Sequence, residues 1–138
     1  MSLKISRAFV DAIVAQSRDE YPDECCGVIL GPAGKNSPER LKPMTNAAHS
    51  PTFYEFDPKD LLALYREVDD NDEEIVVIYH SHTETEAFPS RTDIAYAGEP
   101  GAHYVLVSTR KEIAPAIEFR SYRIIDGVVT EEEVSITE

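Results

Sequence analysis

Residues 75–82 read IVVIYHSH, an apolar run from Ile75 to Tyr79 that passes without a break into His80-Ser81-His82. A short continuous apolar run rich in β-branched residues reads as a strand covered on both faces. It is the most apolar run in the chain, so it marks the centre of a sheet. The same segment carries two imidazoles at its C-terminal end. Side chains two apart on extended backbone point the same way, with their backbones roughly 7 Å apart. His80 and His82 can therefore face one point.

Working outward, Asp57-Pro58 supplies an N-cap followed by proline at the first helical position. Leu61, Leu62, Leu64, Tyr65 and Val68 give that helix an apolar face, and Asp69 to Glu74 (DDNDEE) reads as a solvated acidic loop. Further upstream, Ser6 caps a first helix with Phe9, Val10, Ile13 and Val14 on one side, ended by Tyr21-Pro22. Cys26 to Leu30 reads as a buried strand, 31–38 as a turn, and 40–45 as a returning strand. Residues 46–52 are polar and irregular, and 53–56 form a short extended piece. Downstream come a short helix over 90–97 and strands over 103–108 and 116–125. An Asp126-Gly127 hairpin turn then leads into a last strand over 128–136. The expectation is α+β: one domain spanning 1–138, a mixed or antiparallel sheet flanked by about three helices.

Length and composition fit that reading. The chain has 138 residues, 42% hydrophobic and 28% charged, enough for one core. Its net charge of −13, from 26 acidic against 13 basic residues, opposes nucleic acid and anionic membranes as partners, since phosphate recognition needs clustered Lys and Arg. No apolar stretch is long enough to span a bilayer, and the opening MSLKISRAFV lacks a signal-type apolar segment. Cys25 and Cys26 are neighbours, which can pair only with strain, so no disulfide framework is expected and both read as small buried hydrophobes. A cytoplasmic location follows as an expectation.

After the central strand the sequence spells H-S-H-x7-S-x2-D: His80, Ser81, His82, Ser90 and Asp93. A loop over 83–89 can turn back, Ser90 can start a helix, and Asp93 then sits in its first turn. Two imidazole nitrogens and one carboxylate oxygen suit Zn²⁺ with three protein ligands and an open position, the pattern of a catalytic rather than a structural site. Taken singly, histidines at a strand end are often satisfied polar groups, and Ser90-x-x-Asp93 serves as a capping box. The capping and metal roles are compatible. Hydrolysis also needs a proton acceptor for the attacking water. Composition does not single out one of 26 acids; Glu24 stands just before the Cys26 strand, which can lie beside the His80 strand.

These residues resemble the JAMM, or MPN-plus, metalloprotease family, which pairs an upstream glutamate with H-[ST]-H-x7-S-x2-D. The match covers Glu24, His80, Ser81, His82, Ser90 and Asp93 in order. The resemblance implies a curved sheet flanked by helices, similar to cytidine deaminases, although the H-x-E and P-C-x-x-C elements of deaminase chemistry are absent. It implies His80, His82 and Asp93 as zinc ligands, Glu24 as general acid/base, and Ser90 as a hydrogen-bond donor to the oxyanion. Many members carry Pro after the second histidine, where this chain has Thr83. The short chain and the Glu-Cys-Cys-Gly segment look like bacterial stand-alone members, the sulfur-carrier-protein–cysteine peptidases. The implied substrate is thus a small ubiquitin-like sulfur carrier. Its flexible tail would lie along 46–56 and 83–88, and release of cysteine would serve cysteine biosynthesis. Three other readings compete: a broader deconjugating isopeptidase, a non-catalytic scaffold, and a metal-free Ser-His-Asp hydrolase using Ser81 or Ser90. The last lacks a G-x-S-x-G elbow. His49 and His103 read as structural, and the oligomeric state is left open.

Overall fold

Val76, Val77, Ile78 and Tyr79 are all buried, as a strand covered on both faces must be. They belong to β4 (Glu73–His82), flanked by β2 (Cys26–Pro32) and β5 (His103–Ser108). β2 runs antiparallel to β4, and β5 runs parallel to it. The remaining strands are β1 (Ser2–Ser6), β3 (Arg40–Met44), β6 (Glu118–Ile125) and β7 (Val128–Thr137). The computed structural model describes residues 2–138. Among these the strands form one curled seven-stranded mixed sheet in the order β1-β7-β6-β5-β4-β2-β3.

Helix α1 (Arg7–Glu20) covers one face, where Val10 and Ile13 pack with Leu3, Ile29, Val77 and Tyr79. Helix α2 (Pro58–Asp70) covers the other, with Leu64 against Val28, Ile78 and Leu106. A short α3 (Arg91–Tyr96) forms the crossover between parallel β4 and β5. The caps are those the residue types favour. Ser6 Oγ accepts the Phe9 N–H at 3.3 Å, and Asp57 Oδ1 accepts the N–H groups of Lys59 and Asp60. The β6–β7 hairpin turns through Asp126 (φ 52°) and Gly127 (φ 78°), the two positive φ angles that a tight turn of this twist requires.

Three local expectations differ from the structure, and one strand was not expected at all. The N-terminal residues form β1, which pairs in parallel with β7, Ser2 opposite Glu133; such pairing leaves no local signal. The acidic run is not a loop. Asp69 and Asp70 end α2, while Glu73 and Glu74 open β4, with Glu73 paired to Arg40 at 2.7 Å. Residues 53–56 enter no named strand and keep only the bridge between Asn46 and Phe56. On α2, Leu64 alone is buried, whereas Leu62 is 53% exposed.

Gly27 of β2 lies opposite Tyr79 of β4, and the tyrosine ring lies across it. A Cβ at Gly27 would lie 2.2 Å from the Tyr79 hydroxyl oxygen and 2.3 Å from its ring carbon Cζ. That hydroxyl donates to Gln16 Oε1 at 2.5 Å, which pins the ring. Gly27→Ala is therefore expected to destabilise the protein by about 1–3 kcal/mol. The urea midpoint should fall with an unchanged slope; an unchanged midpoint refutes the packing account.

Candidate metal centre

Alternation along β4 sends His80 and His82 to the face that also carries Ile78, and both are buried. The loop after them is tied down along its length. His82 Nδ1–H donates to the Glu86 carbonyl at 2.9 Å. Ser108 Oγ donates to the Thr85 carbonyl, and the Tyr122 hydroxyl to the Ala87 carbonyl, each at 2.5 Å. The loop delivers Ser90 to the start of α3, where a capping box closes. Ser90 Oγ accepts the Asp93 N–H at 3.1 Å, and Asp93 Oδ2 accepts the Ser90 N–H at 2.8 Å. Asp93 is thereby fixed in the first turn.

The three donor atoms converge. His80 Nε2 and His82 Nε2 are 3.2 Å apart, and each lies 3.1 Å from Asp93 Oδ2. Ligand atoms 2.0–2.1 Å from a tetrahedral zinc are separated by roughly 3.3 Å, so the triangle has the right size for that ion. The tautomer of His82 and the charge states of His80 and Asp93 suit a cation. A carbonyl acceptor at Nδ1 leaves the lone pair of His82 on Nε2. Burial pushes the His80 pKa down despite the Asp93 carboxylate, which favours the neutral ring. Burial also disfavours charge on His82, but its contacts with Asp93 and the Glu86 carbonyl shift the net effect upward. For Asp93 burial opposes ionisation, but the two imidazoles and the Ser90 N–H together outweigh it, holding the carboxyl well below the usual range. Among the described residues these three are the group whose ligand atoms can hold a metal ion.

Glu24 reaches the same place from β2. Cys26 pairs with His80, the Ser81 N–H donates to the Cys25 carbonyl at 3.1 Å, and the Cys25 N–H donates to Ser81 Oγ at 2.8 Å. Glu24 is the residue before Cys25, close enough to feel the charges of His82 and Asp93. Its backbone is gripped twice: Glu24 N–H donates to the Ser50 carbonyl at 2.9 Å, and Asn46 Nδ2 donates to the Glu24 carbonyl at 3.0 Å. The residue is 5% exposed. Burial raises its pKa from 4.5 to about 8, with His82 pulling down and Asp93 pushing up.

Ser81 is fully buried with its oxygen engaged by Cys25, which removes it as a nucleophile. Ser90 is exposed at the helix start. Cys25 and Cys26 are free, buried thiols. His103 lies inside a separate buried network with Glu132 (2.5 Å) and Asn36 (2.8 Å), and His49 is exposed with φ 46°. Thr83 is buried and donates to the Pro51 carbonyl at 3.0 Å, joining the two segments expected to flank a substrate tail. Beside Asp93 opens a cleft of about 470 Å³, with aromatic walls from Phe53, Tyr54, Tyr96 and Tyr104 and with Glu55 and Glu99 in its lining. Asn46 and Tyr54, which organise this region, carried no local sequence signal.

Residues 6–125 match the family described as prokaryotic homologs of the JAB domain. The chain is 57% identical over 136 residues to the CysO-cysteine peptidase of Mycobacterium tuberculosis, covering 99% of this chain and 92% of that protein. It is 31% identical over 103 residues to the desampylase of Haloferax volcanii, covering 71% of this chain and 74% of that one. The solution structure of a protein from Desulfitobacterium hafniense superposes with a TM-score of 0.83 at 26% identity, over 100% of this chain and 94% of that one.

The raised pKa of Glu24 carries a stability consequence. Between pH 4.5 and about 8 the folded metal-free protein keeps a proton that the unfolded chain has released. Folding stability therefore falls as pH rises through that window. Glu24→Gln removes this contribution. Urea midpoints in the presence of chelator should move against the wild type, relative to the variant, as pH climbs; parallel pH curves would refute the burial of a titrating carboxyl here.

Proposed function

The chain belongs to the family of prokaryotic homologs of the JAB domain, and from that premise we propose that it is a zinc-dependent peptidase, with residues 1–138 as one catalytic domain. It hydrolyses the amide bond after the C-terminus of a small ubiquitin-like sulfur-carrier protein in the cytoplasm and releases cysteine. The observation that carries this reading is the triangle of His80 Nε2, His82 Nε2 and Asp93 Oδ2, with edges of 3.1–3.2 Å, beside a buried carboxyl. The substrate class is supported by the 57% identity to the CysO-cysteine peptidase of M. tuberculosis over nearly the whole chain.

In this reading His80, His82 and Asp93 hold the ion. Zinc supplies Lewis acidity there and activates a water for attack. Glu24 takes the proton of the attacking water and returns it to the leaving amine. Ser90, whose oxygen caps the helix, turns its hydroxyl hydrogen toward the oxyanion of the tetrahedral intermediate. The aromatic cleft beside Asp93 takes the carrier's tail, with the extended 53–56 segment as one wall. Glu55 and Glu99 disfavour the carboxylate of the leaving cysteine in that cleft, which supports the carrier side of the bond as its occupant.

One observation favours a second reading, a deconjugating isopeptidase: the 31% identity to the H. volcanii desampylase. Hydrolysis itself is the same, so a carrier joined to a lysine side chain serves as the competing substrate. A scaffold role is disfavoured because Glu24, His80, His82, Ser90 and Asp93 are all present.

The test is incubation of the zinc-loaded protein with a cysteine-capped sulfur carrier, with and without chelator, read by intact mass. Loss of one cysteinyl residue with zinc and none with chelator is expected. No loss with zinc, or equal loss after chelation, overturns the proposal. Glu24→Gln should keep zinc yet lose about 10²–10⁴-fold in turnover, while Asp93→Ala should lose zinc occupancy. Ser90→Ala should lower kcat by about 10²–10³-fold; wild-type kcat in that variant removes Ser90 from the oxyanion role.

A further inference from the structure

We infer that Tyr54 is the positioning residue for His80, its ring face taking the part that a hydrogen-bond acceptor plays for other metal-binding histidines. The inference rests on the zinc reading above and adds a residue outside the ligand and acid–base set. A metal-binding imidazole ordinarily donates its second ring N–H to a carboxylate, a carbonyl or water, which fixes the ring's orientation. His82 follows that rule through the Glu86 carbonyl at 2.9 Å. His80 does not. Its Nδ1 is buried and meets no hydrogen-bond partner among the described residues. The imidazole is held at its face instead, where the Tyr54 ring stacks on it with centroids 4.3 Å apart and planes 24° apart.

A stacked ring can orient its neighbour only if it is itself held. Asn46 holds it from both sides. Asn46 Nδ2 donates to the Phe53 carbonyl at 2.9 Å, and Asn46 Oδ1 accepts the Glu55 N–H at 3.1 Å, so one buried amide grips both chain neighbours of Tyr54. The same amide donates to the Glu24 carbonyl at 3.0 Å and accepts the Ala48 N–H at 3.0 Å. Its donors and acceptor are engaged, so it has little freedom to move. One side chain thus sets the ring behind His80 and the backbone of Glu24 together.

The test compares Tyr54→Phe, which keeps the flat face, with Tyr54→Leu, which keeps apolar bulk and loses it. Zinc affinity is read by competition with a chromogenic chelator, alongside the metal-free melting midpoint. Tyr54→Phe should bind zinc as the wild type does, and Tyr54→Leu about 10–100-fold more weakly. The upfield ring-current shift of the His80 ring protons should persist in the first and vanish in the second. Asn46→Ala leaves the ring in the sequence but frees its segment; it should weaken zinc binding in the same direction and replaces Tyr54→Leu if that variant fails to fold. Wild-type zinc affinity in Tyr54→Leu, or in Asn46→Ala where that replaces it, shows a space-filling role and overturns the inference. Equal weakening in Tyr54→Phe overturns it too, by assigning the effect to the hydroxyl. A wild-type protein that binds no zinc overturns the peptidase proposal and this inference together, whereas zinc-binding wild type with an unaffected Leu variant overturns only this one.

Discussion

Oδ2 of Asp93 lies 3.1 Å from two imidazole nitrogens and accepts the Ser90 N–H at 2.8 Å. Electron-rich atoms crowded this closely repel one another unless a proton or a cation sits among them. Their convergence therefore has to be imposed by the surrounding structure. β4 supplies two of the atoms from a rigid, doubly covered strand. The third comes from a helix of only six residues, too short to be stable in isolation. Its position is set by the reciprocal cap between Ser90 and Asp93 and by the bonds that tie down 83–89. The cap satisfies the helix start and aims the carboxylate in the same stroke.

The sheet does the rest by register. Because β2 runs antiparallel to β4 with Cys26 opposite His80, Glu24, two residues before Cys26, enters at the histidine end of β4 and feels the charges of His82 and Asp93. Gly27 makes room for the Tyr79 ring, and Gln16 fixes that ring on the far face. The opposite faces of β4 are thus specialised. One packs against α1 through Tyr79 and Val77, and the other carries the histidines. The burial that follows from this central placement also strips solvent from Glu24, which is the main cause of its raised pKa.

How much of this was legible in the sequence depends on whether the determinant is local. The IVVIY run, the Asp57-Pro58 and Ser6 caps and the Asp126-Gly127 turn each act over a few residues, and the structure has the elements they announce. Ser90 and Asp93 were legible for the same reason: a capping box spans only four residues. The β1–β7 pairing joins the two ends of the chain and has no local trace. DDNDEE was misread because charge density alone does not separate a loop from a helix end and a strand start whose carboxylates reach Arg40 and the Asn36 N–H. Asn46 and Tyr54 sit in a segment with no periodicity, where a role exists only through partners at Glu24 and His80.

That irregular segment is the part of the site with the least secondary structure and the most connections. Over 46–56 it makes one isolated bridge, yet it contacts the Glu24 backbone through Ser50 and Asn46, Thr83 through Pro51, and the His80 ring through Tyr54. Irregular backbone of this kind owes its order to side chains rather than to a ladder. Here the order is concentrated in one asparagine whose four hydrogen bonds span residues 24, 48, 53 and 55. The geometry between the buried carboxyl and the histidine pair therefore has two independent supports, the β2–β4 ladder on one side and a single amide on the other. The ladder is shared by many residues and tolerates local change. The amide is not shared, so the alignment of this site is most sensitive at a residue that belongs to neither the donor triangle nor the sheet.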